Sequence, residues 1–222
     1  MELMKYRLDS IEESGEIQVF TFSPLNGKKL EFKAGQFVMI YINEVKRAYS
    51  LASAPGLSTI RFGIKMIGGA FTGLLAKLKK GDQVSIAGPY GHFAYGSQSK
   101  CIFIAGGSGI TPFISMLDYV ILNKIPGDFY LFYSTKNRKA ICFSELLRKY
   151  SKYKNIHVLI TLTKEQSEGY ESSRITSEMI SKHVANPGEY SWYICGPLAM
   201  IRDMKDIAKS FDAKEIKIEG WG

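Results

Sequence analysis

Hydrophobic and polar residues follow different patterns in the two halves of the chain. Up to about residue 96, β-branched and aromatic residues form short runs separated by glycine, proline, asparagine and aspartate, which is typical of antiparallel strands. One helical stretch, FTGLLAKL (71–78), interrupts them. The predicted strands are EIQVFTF (16–22), QFVMIYI (36–42), RAYS (47–50), TIRFGIKM (59–66) and DQVSIAG (82–88). Short strands at this spacing predict a small antiparallel β-barrel.

From residue 100 onward, apolar runs alternate with stretches of helical periodicity. The predicted strands are CIFIAG (101–106), DFYLFYS (128–134), IHVLITL (156–162), YSWYICG (190–196) and EIKIE (215–219), and the predicted helices are 111–122, 143–150, 175–184 and 198–208. This alternation indicates right-handed βαβ units and a parallel sheet covered on both faces. We therefore predict two domains, a β-barrel over residues 1–97 and an α/β domain over 98–222.

Composition narrows the class of protein. The 222 residues suffice for two compact domains, and no apolar run approaches the length of a membrane-spanning helix. The first ten residues lack the apolar segment of a signal peptide, so we expect a cytoplasmic protein. The three cysteines, at 101, 142 and 195, form no CxxC pair. A disulfide framework, a metal site and an iron–sulfur cluster are therefore not expected.

The formal charge of +8 favours a phosphorylated ligand or an acidic protein partner. The basic residues are scattered along the chain, which is equally typical of a solvated, lysine-rich surface. Because no nucleic-acid-binding motif accompanies them, we do not expect DNA or RNA as a partner.

Two glycine-containing turns follow predicted strands in the second half. The first, IAGGSGITPF (104–113), lets backbone approach a pyrophosphate, and Pro112 suits the first turn of a helix. The second, YICGP (193–197), places Cys195 at the end of a later strand. In an open parallel sheet both turns lie at the ligand-binding edge. Each turn alone is also compatible with tight packing and no ligand, and Cys195 with a small buried hydrophobe.

The predicted strand RAYS carries a cation and an aromatic ring on one face, Arg47 and Tyr49. A guanidinium suits a phosphate, an aromatic side chain suits a flat ring, and Ser50 can donate a hydrogen bond. Downstream, GGAFTGLL (68–75) offers backbone N–H groups and the Thr72 hydroxyl at a helix start. The combination indicates a flavin nucleotide, although an exposed arginine and a core tyrosine would explain the two strand residues separately.

Taken together, these motifs resemble the ferredoxin–NADP(+) reductase superfamily. RAYSLAS (47–53), GGAFT (68–72), GPYGHF (88–93), GGSGITPF (106–113), YICGP (193–197) and EGW (219–221) occur in that family's order and span nearly the whole chain. The resemblance implies a flavin-binding barrel followed by a pyridine-nucleotide domain, with hydride transfer from NAD(P)H to the flavin. The cofactors supply the chemistry, and the protein binds and orients them.

The resemblance assigns flavin contacts to Arg47, Tyr49, Ser50, Leu51, Ala52, Ser53, Lys65, Gly69, Phe71 and Thr72. Arg47 is expected to bind the flavin phosphate, Tyr49 to pack on the isoalloxazine and Ser50 to lie near its N5. Gly69 and Thr72 are expected to hold a pyrophosphate, which favours FAD over FMN.

For the nicotinamide nucleotide, the resemblance implies contacts with Gly107, Gly109, Thr111, Lys136, Arg138, Lys164, Tyr170, Arg174, Cys195, Gly196 and Trp221. Four residues are expected to act at the reacting centre: Ser50, Cys195 beside the nicotinamide, Glu219 as a polar or proton-relay group, and Trp221 covering the flavin. The cations of YSTKNRKA (133–140), with Lys164 and Arg174 further on, favour NADPH over NADH. Lysine is nevertheless a weaker planar phosphate clamp than the arginine common in the family.

The expected electron acceptor is a separate molecule, because the chain lacks cysteines for an iron–sulfur centre. The positive charge favours an acidic carrier such as ferredoxin or flavodoxin. A free flavin or another small acceptor, and the hydroxylase component of an oxygenase, are alternatives. A third alternative is a non-catalytic, redox-sensing subunit that keeps the fold.

Overall fold

The structure is a computed structural model that describes residues 3–221, except for the side chain of Trp221. Within this range the chain divides into two compact units. Unit 1 comprises the residues up to Tyr95 together with Thr111–Asn123, and unit 2 comprises Gly96–Ile110 and the residues from Lys124 onward. Each unit is built around one β-sheet.

Unit 1 contains a six-stranded antiparallel sheet in the order β4-β3-β6-β1-β2-β5. Its strands are β1 (Met4–Ser14), β2 (Ile17–Pro24), β3 (Phe37–Ile42), β4 (Val45–Ser50), β5 (Ile60–Ile64) and β6 (Gln83–Tyr90), and its first helix is α1 (Ala70–Leu75). The two end strands, β4 and β5, contact each other, so the sheet curls into a barrel-like form. The predicted antiparallel β-barrel is confirmed.

Strand β1 was absent from the predicted strands. Of its eleven residues, MKYRLDSIEES, only Tyr6 and Leu8 are buried. The strand nevertheless lies between β6 and β2, because both its edges are hydrogen-bonded to neighbours. Tyr6 and Leu8 anchor the strand in the core, and backbone pairing holds the rest of the segment in the sheet.

Helix α2 (Thr111–Leu122) follows the first glycine turn along the chain but packs within unit 1. A Cβ at Gly35 would lie 2.3 Å from Cε of Met116, so the helix rests directly on barrel backbone. A half-buried ion pair joins Arg61 of β5 to Asp118 at 2.6 Å. The boundary between residues 97 and 98, drawn from sequence pattern alone, stays a prediction.

Unit 2 contains a five-stranded parallel sheet in the order β11-β10-β7-β8-β9. The strands are β7 (Lys100–Gly106), β8 (Asp128–Thr135), β9 (Ile156–Leu162), β10 (Ser191–Pro197) and β11 (Glu215–Trp221), and the helices are α3 (Ser144–Tyr150), α4 (Ser177–His183) and α5 (Leu198–Ser210). The predicted parallel α/β architecture is confirmed. Strand order reverses between β7 and β10, where open α/β sheets bind ligands.

Three helices are shorter than predicted. Helix α1 ends at Leu75, because the following residues form tighter turn hydrogen bonds instead. Helix α3 begins after Phe143, whose left-handed backbone (φ 55°) cannot belong to a right-handed helix. Helix α4 begins after Thr176, whose side-chain oxygen accepts the N–H of Met179 and so caps the helix.

Among residues 3–221, none of the helices combines the length and the apolar character needed to cross a membrane. The same range contains no cluster of three or more histidine, cysteine, aspartate or glutamate side chains arranged to hold a metal. Its three cysteines are buried and unbridged.

Candidate active site

Strand β4 presents Arg47 and Tyr49 on one face of the barrel sheet. Arg47 lies opposite Ile40 and Tyr49 lies opposite Val38 in the β3–β4 pairing. Directly opposed residues of an antiparallel pair share a face, so both side chains share the face of two buried aliphatic residues. Arg47 is exposed and Tyr49 is half-buried. The strand therefore offers a solvated cation beside an anchored aromatic ring.

Tyr49 connects this strand to the start of helix α1. Its ring packs on Phe71, with the ring centroids 5.4 Å apart and the planes inclined by 40°. Burial raises the pKa of Tyr49, while the charge of Arg47 acts in the opposite direction. The hydroxyl therefore stays protonated near neutral pH. The two motifs RAYS and GGAFT, separate in sequence, lie together in unit 1.

Helix α1 begins with an open, uncapped first turn. Gly69 is the N-cap residue, with an extended backbone and no side-chain cap. A Cβ at Gly68, where φ is +72°, would meet nothing within 4 Å. The Thr72 hydroxyl donates to the carbonyl of Gly69 at 3.2 Å. Uncapped N–H groups at an open helix start favour an anionic group such as a phosphate.

The residues after RAYS lie inside the protein. Leu51, Ala52 and Ser53 are buried. The Ser53 hydroxyl accepts the backbone N–H of Arg61 at 3.2 Å, and the Ser53 carbonyl accepts the hydroxyl of Ser115 at 2.7 Å. These contacts fix the end of the β4 segment against β5 and α2.

Two further predicted flavin residues occupy different surroundings. Ser50 ends β4 and is half-buried. Lys65 is exposed just after β5, and its ammonium group pairs with Glu16. An exposed lysine in an ion pair can exchange its partner for a ligand phosphate at small cost.

In unit 2 the two predicted glycine turns touch each other. A Cβ added at Gly109 would lie 2.3 Å from the carbonyl oxygen of Cys195. A Cβ at Gly196, where φ is +156°, would lie 3.1 Å from Cα of Gly106. Glycine is therefore required at these positions for packing of backbone on backbone.

Gly107 differs from these crowded glycines. Its φ is +54°, and a Cβ there would meet nothing within 4 Å. It opens the 3₁₀ turn Gly107–Ile110, which leads into α2 at the buried Thr111. Of the predicted glycines in this turn, Gly107 has open space for a ligand, while Gly109 packs against the backbone of Cys195.

Cys195 and Glu219 are neighbours in register on β10 and β11, with both side chains on the same face of the sheet. Cys195 is fully buried. Burial first, and the Glu219 carboxylate second, raise its pKa well above the usual value. The thiol therefore stays neutral and is unsuited to act as a thiolate. The backbone of Trp221 ends β11, but its side chain, on which the predicted role rests, lies outside the described residues.

A cavity of about 630 Å³ lies beyond the ends of β8 and β9. It brings together three of the predicted nucleotide residues, Arg138, Lys164 and Tyr170. The guanidinium carbon of Arg138 lies 6.0 Å from the centroid of the Tyr170 ring, within the range of a cation–π contact. The other lining residues are Asn137, Lys139, Ile141, Ser144 and Glu165.

Two hydrogen bonds join the loops on either side of this cavity. The N–H of Lys164 donates to the carbonyl of Lys136 at 2.9 Å, and the N–H of Arg138 donates to the Glu165 carboxylate at 2.9 Å. Lys136 thus contributes its backbone beside the cavity. Arg174 is exposed and is not among the described residues that line it.

Sequence reasoning missed Asn137, Ile141, Ser144 and Glu165. The cations of the segment 162–175 indicate a phosphate, whereas Glu165, directly after Lys164, carries no motif of its own. The register of two strands explains the position of Glu165. Strands β8 and β9 pair in parallel from Phe129 to Thr135, so the loops that follow them lie side by side. The cavity contains three cations, Arg138, Lys139 and Lys164, against one carboxylate.

The carboxyl edge of the unit 2 sheet is continuous from β10 to β9. Cys195 pairs with Ala105, Gly106 with Ser134, and Thr135 with Leu162. At about 4.8 Å between neighbouring strands, this edge runs for about 14 Å between the cysteine turn and the cavity. Its geometry suits an elongated ligand with a phosphate-bearing end in the cationic cavity.

Two models of known protein families match the chain, one in each half. The oxidoreductase FAD-binding domain matches residues 6–95, and the oxidoreductase NAD-binding domain matches residues 103–206. The chain thus combines an FAD-binding and an NAD-binding oxidoreductase domain, a pair similar to that of the ferredoxin–NADP(+) reductase superfamily. Both models describe domains of oxidoreductases.

Curated relatives of this superfamily include a flavohemoprotein from Bacillus subtilis (strain 168), 30% identical over 86% of this chain and 52% of the relative. The CDP-6-deoxy-L-threo-D-glycero-4-hexulose-3-dehydrase reductase of Yersinia pestis is 27% identical over 88% of this chain and 61% of the relative. The chain thus spans between about half and three fifths of the length of these two relatives.

Solved structures of the superfamily share the fold. The FAD/NAD-binding domain of the nitric oxide dioxygenase from Vibrio cholerae has a TM-score of 0.90 at 19% identity, covering 99% of this chain and 98% of that one. A ferredoxin NADP+ reductase from Neisseria gonorrhoeae, with bound FAD and NADP, has a TM-score of 0.84 at 20% identity, covering 99% of both chains. At these identities the likeness establishes the architecture alone.

The side chains of this chain fit the two groups that the superfamily implies. Unit 1 supplies a half-buried aromatic ring beside an exposed guanidinium and an open helix start, as an aromatic nucleotide with phosphates requires. Unit 2 supplies an open glycine turn and a cationic cavity along one sheet edge.

Substitution by alanine should have different effects at Gly107 and at Gly109 of the first turn. Gly109→Ala should lower the free energy of unfolding by about 3 kcal/mol, because its Cβ collides with the Cys195 carbonyl. Gly107→Ala should cost only about 1 kcal/mol of backbone strain, yet weaken nucleotide binding by filling open space. Denaturant unfolding and calorimetric titration with NADPH and NADH measure the two effects. Equal losses of stability in both variants would contradict this division of roles.

Proposed function

We propose that this chain binds FAD in unit 1, takes a hydride from NAD(P)H bound to unit 2, and passes electrons to a separate acceptor. The observation that carries the proposal is the carboxyl edge of unit 2. There an open glycine turn, a neutral buried thiol and a cationic cavity follow one another along neighbouring strands. A bound flavin would supply the redox chemistry, and the residues of the chain would bind and orient it.

In unit 1, Arg47 and the first turn of α1 would bind the flavin phosphates, with Thr72 and the exposed Lys65 beside them. Tyr49 would pack on the flavin ring, and its contact with Phe71 would hold that aromatic face in place. Ser50, at the end of β4, would donate a hydrogen bond to the ring. The buried residues Leu51, Ala52 and Ser53 support this arrangement from within the barrel.

In unit 2, Gly107 would admit the nucleotide, and Gly109 would hold the turn in place. Thr111, which follows this turn along the chain and begins α2 in unit 1, is proposed as a nucleotide contact from the family motif alone. Cys195 and Gly196 would lie beside the nicotinamide, where a neutral thiol adds bulk without charge and so excludes water. Glu219, in register with Cys195, would provide the nearest carboxylate for holding or moving a proton. Trp221, whose side chain lies outside the described residues, is proposed from the family motif alone.

The cationic cavity supports NADPH as the preferred coenzyme. Arg138, Lys139 and Lys164 would surround a 2′-phosphate, and Tyr170 would stack on the adenine. Arg138 already lies over the Tyr170 ring, so one side chain can serve both contacts. The Glu165 carboxylate is satisfied by the backbone N–H of Arg138, which reduces its repulsion of a phosphate.

An acidic electron carrier such as ferredoxin or flavodoxin is the proposed acceptor. The net charge of +8 supports this choice, because opposite charges accelerate protein encounter. The names of several relatives, including the reductase component of terephthalate 1,2-dioxygenase from Comamonas sp and that of propane 2-monooxygenase from Mycolicibacterium goodii, favour an oxygenase component as the second candidate.

Anaerobic reduction tests the proposed reaction directly. The purified protein should be yellow, and stoichiometric NADPH should bleach its visible absorbance in the absence of oxygen. Release of the pigment by heat, followed by chromatography, should yield FAD rather than FMN. A colourless native protein would contradict the proposal, and a bound flavin that NADPH leaves oxidised would favour a redox-sensing role instead.

Coenzyme preference is tested by removing one cation from the cavity. Lys164→Ala should raise the KM for NADPH about ten-fold, corresponding to about 1.4 kcal/mol, and leave that for NADH nearly unchanged. Arg174→Ala is the comparison variant, because Arg174 lies outside the cavity lining. Steady-state kinetics with both coenzymes measure the difference. Equal effects on NADPH and NADH would argue against a 2′-phosphate in the cavity.

Salt dependence distinguishes the proposed acceptors. Reduction of an acidic ferredoxin or flavodoxin should fall by roughly ten-fold between low salt and about 0.5 M sodium chloride, because salt screens the attraction between opposite charges. Reduction of free riboflavin, a neutral acceptor, serves as the control and should change little. A protein acceptor reduced equally well at both salt concentrations would count against electrostatic recognition.

A further inference from the structure

Residues 137–144 form one wall of the cationic cavity. Asn137, Arg138, Lys139, Ile141 and Ser144 all line it, and the segment connects the end of β8 to the start of α3. Only a single 3₁₀ turn, Arg138–Ala140, gives it regular structure. The shape of this wall therefore depends on contacts with other parts of unit 2.

Buried hydroxyl groups of β8 hold this wall from beneath. The hydroxyl oxygen of Tyr133 accepts the backbone N–H of Cys142 at 3.2 Å, and the hydroxyl of Thr135 donates to the carbonyl of Ala140 at 3.3 Å. Tyr133 is fully buried and Thr135 is 6% exposed. The two bonds end on Cys142 and Ala140, whose neighbours Ile141 and Lys139 line the cavity.

The same segment contains a backbone conformation that is costly for its residue. Phe143 is left-handed, with φ 55° and ψ 33°, and its aromatic side chain is buried. A bulky non-glycine residue persists in this region only when surrounding contacts impose it. The Cys142 N–H bond to Tyr133 lies directly before this residue and is one such contact.

Tyr133 is suited to a permanent structural bond. Burial first, and the neighbouring Cys142 second, raise its pKa well above the usual value for tyrosine. The hydroxyl consequently stays protonated throughout the physiological range, and the contact does not depend on pH.

We propose that Tyr133 is a positioning residue for the nicotinamide nucleotide: its hydroxyl fixes the Cys142 N–H and thereby sets the wall 137–144 in the shape that receives the ligand. The inference rests on the proposed function of the cavity. Tyr133 is buried beneath the wall, so its effect is transmitted through backbone. Loss of its hydroxyl removes the bond that ties the Cys142 N–H to β8, and the wall is then free to shift.

Tyr190→Phe is the matched control. Tyr190 is also a buried tyrosine of unit 2, 4% exposed, directly before β10. Its hydroxyl donates to the Asp128 carboxylate at 2.7 Å, at the amino end of the sheet and away from the cavity. The two variants therefore lose the same atom at opposite ends of one sheet.

The experiment titrates the flavin-loaded protein with two probes, adenosine 2′,5′-bisphosphate and ADP, by calorimetry. Tyr133→Phe should weaken binding of the probe that wild type prefers by about three- to ten-fold, the value of one lost hydrogen bond. The KM for NADPH should rise by a similar factor while kcat stays close to wild type. Tyr190→Phe should leave both quantities unchanged, whatever its effect on unfolding.

The outcomes separate this inference from the proposed function. Wild-type affinity in Tyr133→Phe, or an equal loss in Tyr190→Phe, would overturn the positioning role while the cavity remained a nucleotide site. Failure of wild type to bind either probe would overturn the proposed cavity function and the inference with it. If Tyr133→Phe does not fold, Thr135→Ala replaces it, with Thr135→Ser as the variant that should restore binding because it keeps the hydroxyl.

Discussion

The contact between two glycine turns is the constraint on which unit 2 depends. Strand order reverses between β7 and β10, which leaves a crevice at the carboxyl end of the sheet. Gly109 closes the base of that crevice against the Cys195 carbonyl, and Gly196 lies against Gly106. A side chain at either position would separate the turns. The ligand edge is therefore defined by backbone, and Gly107 is left to face open space.

In unit 1 an aromatic contact holds the two candidate flavin-binding segments together. Tyr49 and Phe71 join a strand to a short helix that has neither a side-chain cap nor acidic residues in its first turn. A six-residue helix is too short to be stable by itself, so packing of this kind must hold it. The aromatic pair thus places a guanidinium-bearing strand beside a helix start that suits anions.

Sequence pattern sufficed for the architecture and for the motifs, because alternation and glycine spacing are local properties. It did not suffice where position depends on pairing between distant segments. Strand β1 was missed because its solvated side chains conceal its backbone pairing. Glu165 was missed because its place in the cavity follows from the register of β8 with β9.

Helix α2 belongs to one half of the chain by sequence and to the other by packing. Its Met116 and Phe113 cover Gly35 and Phe93 of the barrel, and its Asp118 neutralises Arg61. A fragment that stopped after residue 97 would expose this apolar surface to water and lose the carboxylate that pairs with Arg61. Chimeras between relatives should therefore exchange the barrel together with this helix, because the compact unit is built from two separate stretches of sequence.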